Sequence, residues 1–98
     1  MDYSEPTSVQ QEVEAIVSSL RAKDRDYIRR LPEEKLETLQ HTLGRALRNA
    51  LRSNAYPHLF TYCYDQEDPQ SRSFDSLSRT ATRLIWEHLQ GAAKVAAK

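Results

Sequence analysis

A chain of 98 residues has room for one hydrophobic core and no second domain. Its 14 basic and 14 acidic side chains cancel, and 39% hydrophobic with 29% charged residues is too balanced for a disordered chain. Zero net charge also counts against a dedicated nucleic-acid binder, which carries a plain basic excess. Cys63 is the single cysteine, so no internal disulfide can form and a reducing compartment is expected. The polar start M-D-Y-S-E-P has no secretion-signal pattern, and no apolar run reaches membrane-spanning length. The expected location is therefore cytoplasmic, with no membrane partner.

Residues 1–7 read as a flexible lead. Ser8 followed by Gln11 fits a capping box, and Val9, Val13, Ile16, Val17 and Leu20 recur at helical spacing. They predict a first helix over about residues 9–22, with Gln10, Glu12, Glu14, Ser18 and Arg21 on its remaining faces. Its β-branched content makes it dependent on burial. Asp24 can cap a short second helix reaching Arg30, with Tyr27, Ile28 and Leu31 as its apolar side. Pro32 turns the chain at Leu31 and suits the first turn of a following helix.

From Pro32 to Ser53 the spacing predicts one long amphipathic helix, over about 33–53, as the spine of the domain. Leu36, Leu39, Leu43, Leu47, Ala50 and Leu51 fall on one side, and His41, Arg45, Arg48 and Arg52 on another. Glu33 and Glu34 open it and arginines close it, the charge order that the helix dipole favours. Gly44 sits mid-helix, where either Trp86 or an aromatic of the following segment approaches closely and fills the space, or the glycine is simply tolerated.

Asn54, Pro57 and Pro69 punctuate residues 54–74. Within them, Y-P-H-L-F-T-Y-C-Y suits either a short helix over 57–64, with Pro57 in its first turn, or a short strand. No other segment offers a strand partner, so helix is preferred. Asp75 is the expected cap of a last helix over about 75–90, buried through Leu77, Ala81, Leu84, Ile85, His88 and Leu89. Gly91 is its expected stop, and an Ala/Lys tail occupies 91–98. The fold class is thus all-α, a compact single-domain bundle of three principal helices with one or two short ones.

The run D-x-x-Y-I-x-x-L-P-E-E-x-L-x-x-L from Asp24 to Leu39, then L-G-x-x-L-R-N from Leu43 to Asn49, then Asp75, Ser78, Trp86 and Leu89 as D-x-x-S…W-x-x-L, resembles a small bacterial domain family of unknown function. The resemblance covers about residues 13–89, and its most specific piece is the L-G-x-x-[IL]-R-N core. It implies an all-helical fold and no activity. Family members often carry histidine at the place of Gln40, a Leu-Trp pair after the Arg-Asn, and His-Pro-Asp-Asp before the last helix. Here Leu51-Arg52 or its neighbours stand for the pair and Ser73-Phe74-Asp75-Ser76 for the tetrapeptide, so any polar site those residues formed is eroded.

The candidate partner-binding residues are Arg45, Arg48, Arg52 and His41, joined by exposed members of Tyr56, Phe60, Tyr62 and Tyr64. Arginine forks grip carboxylates or phosphates, and clustered aromatics anchor interfaces. The competing readings are a solvated face, pairing of the arginines with Asp65, Glu67 and Asp68, and core filling by the aromatics. Gly44, Asn49, Asp75 and Trp86 are read as structural, with Asn49 holding the 54–74 segment against the spine. His41, His58 and His88 lack metal-pair spacing, no glycine-rich phosphate loop exists, and Cys63 with His58 and Asp65 is a weak nucleophile set. The expectation is a non-enzymatic protein without a cofactor that binds and modulates or inhibits a partner protein, antitoxin-like or of the phage-antagonist type by analogy. The alternative is an accessory nucleic-acid binder using the arginine stripe.

Overall fold

The computed structural model describes residues 8–97, with side chains described from 8 to 91. The lead at 1–7 lies outside the described residues. The chain folds into a single all-α bundle: α1 (Val9–Ser19), α2 (Ala22–Arg30), a 3-10 helix (Glu33–Leu39), α3 (Leu43–Arg52), α4 (Pro57–Gln66) and α5 (Phe74–Ala97).

The long central rod does not exist. After Pro32 the backbone closes on i→i+3 bonds: Lys35 N–H donates to Pro32 O at 2.9 Å, Gln40 N–H to Glu37 O at 3.1 Å and Thr42 N–H to Leu39 O at 3.1 Å. The stretch Thr38 to Thr42 is bounded by threonines, and Thr38 Oγ1 donates to Lys35 O at 2.6 Å while Thr42 Oγ1 donates to Leu39 O at 3.3 Å. With three residues per turn, half-buried Leu36 and buried Leu39 still share one side. Gly44 lets the turn fold back tightly, because a Cβ there would stand 2.9 Å from Gln40 Oε1 and 3.3 Å from Leu39 O. Its close neighbour is Gln40, and the expected approach by Trp86 is corrected.

The spine is instead α5, which packs against every other element. Leu77, Ser78, Ala81, Thr82, Ile85 and Leu89 form its buried stripe. Two of these are polar, yet they cost little, because Ser78 Oγ donates to Asp75 O at 2.8 Å and Thr82 Oγ1 to Ser78 O at 2.8 Å. Leu84 and His88, expected inside, are half-buried. Gly91 does not stop the helix, which continues to Ala97. Nor is Asp75 the cap: Ser73 Oγ accepts from Ser76 N–H at 3.1 Å and Ser76 Oγ from Ser73 N–H at 3.0 Å, a reciprocal box one turn long.

The other ends are closed in ways that fix how α1 to α4 sit on α5. Ser8 caps α1 as expected, accepting Gln11 N–H at 3.1 Å. The first helix ends earlier than its hydrophobic pattern, where Leu20 turns extended and Arg25 donates to Val17 O at 3.2 Å and Leu20 O at 2.6 Å. At the far end of α2, Trp86 Nε1 donates to Leu31 O at 2.8 Å and Gln90 Nε2 donates to Arg29 O. Asn54, at φ 62°, follows α3 in the left-handed region. Ala55 N–H there reaches Ala50 O at 3.0 Å and Asn54 N–H reaches Leu51 O at 3.1 Å, which closes the helix as a Schellman motif. The segment read as helix or strand is the helix α4, starting at Pro57 as its missing N–H favours.

One capping interaction is long-range. Glu12, placed by sequence on an outer face, is 1% exposed. It lies under the start of α4, accepting Leu59 N–H at 2.6 Å and His58 N–H at 3.2 Å. His58 Nδ1 lies 3.0 Å from the same carboxylate, which orients its ring.

Candidate partner-binding surface

The basic stripe is real but divided. Arg48 is held by Asp75 at 2.9 Å, tying α3 to the first turn of α5. Arg52 lies over the Phe74 ring, 5.1 Å from its centroid. Arg45 and His41 are exposed and make no ion pair among the described residues. Asp65, Glu67 and Asp68 do not neutralise the stripe; Glu67 accepts from Thr80 Oγ1 at 2.9 Å instead. Asn49 is exposed, with no side-chain hydrogen bond among the described residues, so its expected role of holding the 54–74 segment is corrected. That segment is held instead by Glu12 at the start of α4 and by buried Leu59 and Cys63.

The aromatics divide as well, for a geometric reason. Residues four apart share a helix side, so Phe60 and Tyr64 stack at 5.8 Å between centroids on the flank of α4 facing α3 and the α5 start. Tyr62, about 160–200° around the helix, lies on the other flank, in a shallow pocket with Val9, Val13, Leu84 and His88. Tyr56 is half-buried against the core. The four candidate rings therefore do not share one surface; Phe60 and Tyr64 lie together, apart from Tyr62 and Tyr56.

Two members of that surface escaped sequence reading. Phe74 meets Phe60 at 6.2 Å between centroids, and Arg72 sits 3.8 Å from the Tyr64 ring centroid while its Nε donates to Tyr64 O at 2.9 Å. The result is one continuous row: Arg52, Phe74, Phe60, Tyr64, Arg72. The only sequence signal was that both newcomers flank a turn-like stretch next to an aromatic helix, and a pattern so common does not single them out. A second feature is a groove of about 410 Å³ between α2 and α3, which both lie on α5; Tyr27, 57% exposed, stands on its edge with Leu20, Leu43 and Ala46 beneath.

Cys63 lies on the buried side of α4 and is fully covered. Burial, with the Glu67 carboxylate adding to it, pushes its thiol from 9.0 up to about 12. His58 is turned to Glu12, so the Cys63–His58–Asp65 set is not assembled around it. Because the folded state keeps a proton that the unfolded chain releases near pH 9, stability is intact below pH 9 and falls as pH climbs from 9 toward 12. Iodoacetamide at pH 8 is expected to alkylate Cys63 more than about 100-fold faster in denaturant than in the native protein. Equal rates would mean that α4 is not seated on the core.

Among the described residues no group of three His, Cys, Asp or Glu side chains comes together, and no helix is long and apolar enough to cross a membrane. Compared with known proteins, the chain matches no family model, no curated protein and no solved structure.

Proposed function

We propose that this is a small, cytoplasmic, non-enzymatic module that binds another protein and modulates or inhibits it through the corner where α3, α4 and the start of α5 meet. The observation that carries the reading is the pre-ordered row from Arg52 to Arg72 across three aromatic rings. Arginine and aromatic side chains are the types that anchor interfaces, and side chains already held in place lose less freedom when a partner arrives. Tyr64, 41% exposed despite its stack, is the central anchor. Arg45, two turns from Arg52 on the same side of α3, steers the encounter. A protonated, covered Cys63 supports leaving nucleophilic chemistry out.

The experiment is capture from the native host's lysate on immobilised protein, at low and high salt, with and without nuclease. A discrete protein should be retained through nuclease treatment. Tyr64→Ala should reduce its retention at least about tenfold, whereas Tyr62→Ala, on the other flank, should leave it unchanged. Retention by both variants would move the contact elsewhere. Retention that vanishes with nuclease and falls steeply with salt would favour the arginine stripe as a phosphate track instead.

A further inference from the structure

We infer that the segment recognised at this corner is an acidic peptide, its carboxylates meeting Arg45, Arg52 and Arg72; this rests on reading the corner as a protein-binding surface. The first observation is how the molecule distributes its charge pairs. Arg21, Arg29, Arg30, Arg48, Arg79 and Arg83 each have a carboxylate of the same chain within ion-pair distance. Arg25 is spent on helix-end carbonyls. Arg45, Arg52 and Arg72 have no carboxylate among the described residues; Arg52 and Arg72 stand at the corner, and Arg45 falls on the same side of α3 as Arg52. Arg45 and Arg52 lie two turns apart on α3, about 10 Å along its axis, a spacing that an extended or helical peptide can bridge with two acidic side chains.

The second observation concerns orientation. Arg52 and Arg72 are packed against aromatic rings, so ring contact occupies guanidinium faces; Arg52 keeps its N–H edges available, while Arg72 spends its Nε on Tyr64 O and offers its terminal NH2 groups. An edge is what a carboxylate takes, in plane and through paired hydrogen bonds. The same packing disfavours a single-stranded nucleic acid, which needs open ring faces for its bases. Here Tyr64 carries both Phe60 and a guanidinium, and Phe74 carries both Phe60 and a guanidinium.

The test is selection from a random twelve-residue peptide library displayed on phage, followed by anisotropy titration of enriched peptides and of a fluorescein-labelled thymidine oligonucleotide. Enriched sequences should carry an excess of Asp and Glu over the input library. Replacing their acids by the amides should weaken binding at least about tenfold. Arg45→Glu removes no hydrogen bond, ion pair or ring contact among the described residues and should cause a loss of similar size, with thermal melting checking that the variant is folded. Arg52→Gln and Arg72→Gln, read only where thermal melting shows the fold intact, should follow. Enriched peptides without acidic excess, or indifferent to amide replacement, overturn the acidic partner while leaving peptide binding in place. No enrichment, or tighter binding of the oligonucleotide than of any peptide, overturns both readings.

Discussion

Glu12→Ala is expected to destabilise the protein by about 3 kcal/mol, most of what a point change can remove from a domain this small. The carboxylate is covered, and it is the partner of the first donors of α4: Pro57 has no N–H, Tyr56 supplies no side-chain cap, and His58 and Leu59 both donate to Glu12. Alanine removes the acceptor and leaves those donors facing the core, each at the desolvation cost of an unmade bond. It also removes negative charge from the positive end of a helix dipole. Glu12→Gln keeps one acceptor oxygen and the packing, so about half that loss is expected. His58→Ala should cost less than about 1 kcal/mol, because the ring is 46% exposed and its pairing is screened. Thermal melting orders the variants, since 1 kcal/mol is about 4–8 °C for a chain of this size. If Glu12→Ala melts within two or three degrees of the parent, α4 is not held this way.

That carboxylate also marks where the sequence stops being readable. Periodicity located α1, α2 and α5 because each buries a stripe whose spacing is local information, while α4 was preferred over a strand only for want of a strand partner. Glu12 falls beside Val13 and Ile16 on the same helix, yet nothing local says that an acid there has a partner 46 residues away. Helix ends show the same division. Ser8 is legible because its donor is three residues on, whereas Arg25 and Trp86 close helix ends that they meet only after folding. The candidate surface was half legible for a related reason. Arginines and tyrosines could be counted, but which side of α4 each ring took, and that Phe74 and Arg72 would join Phe60 and Tyr64, depended on where the 67–73 connection delivered α5.

The central rod is the instructive failure, and it leads to the second large effect. Leucines at 36, 39, 43, 47 and 51 fit both one continuous helix and a 3-10 turn followed by a short helix, since three-residue and four-residue steps occur in both. What separated them was chemistry between the leucines: threonine hydroxyls competing for carbonyls, and a glycine permitting close return of the chain. The two architectures predict different costs. In a rod-centred domain Leu36→Ala would open the core, whereas here Leu36 is only half-buried and its loss is expected to cost about 1 kcal/mol. Ile85, fully covered at the middle of α5, has no route to relaxation from the solvent side, so Ile85→Ala should cost about 3–4 kcal/mol through lost transfer energy and the cavity left behind. Urea unfolding of both variants, with an unchanged denaturant slope, measures the difference directly. Costs in the reverse order would return the spine to residues 33–53 and dismantle the corner on which Arg52, Phe60 and Phe74 converge, because that corner exists only while α5 carries the packing.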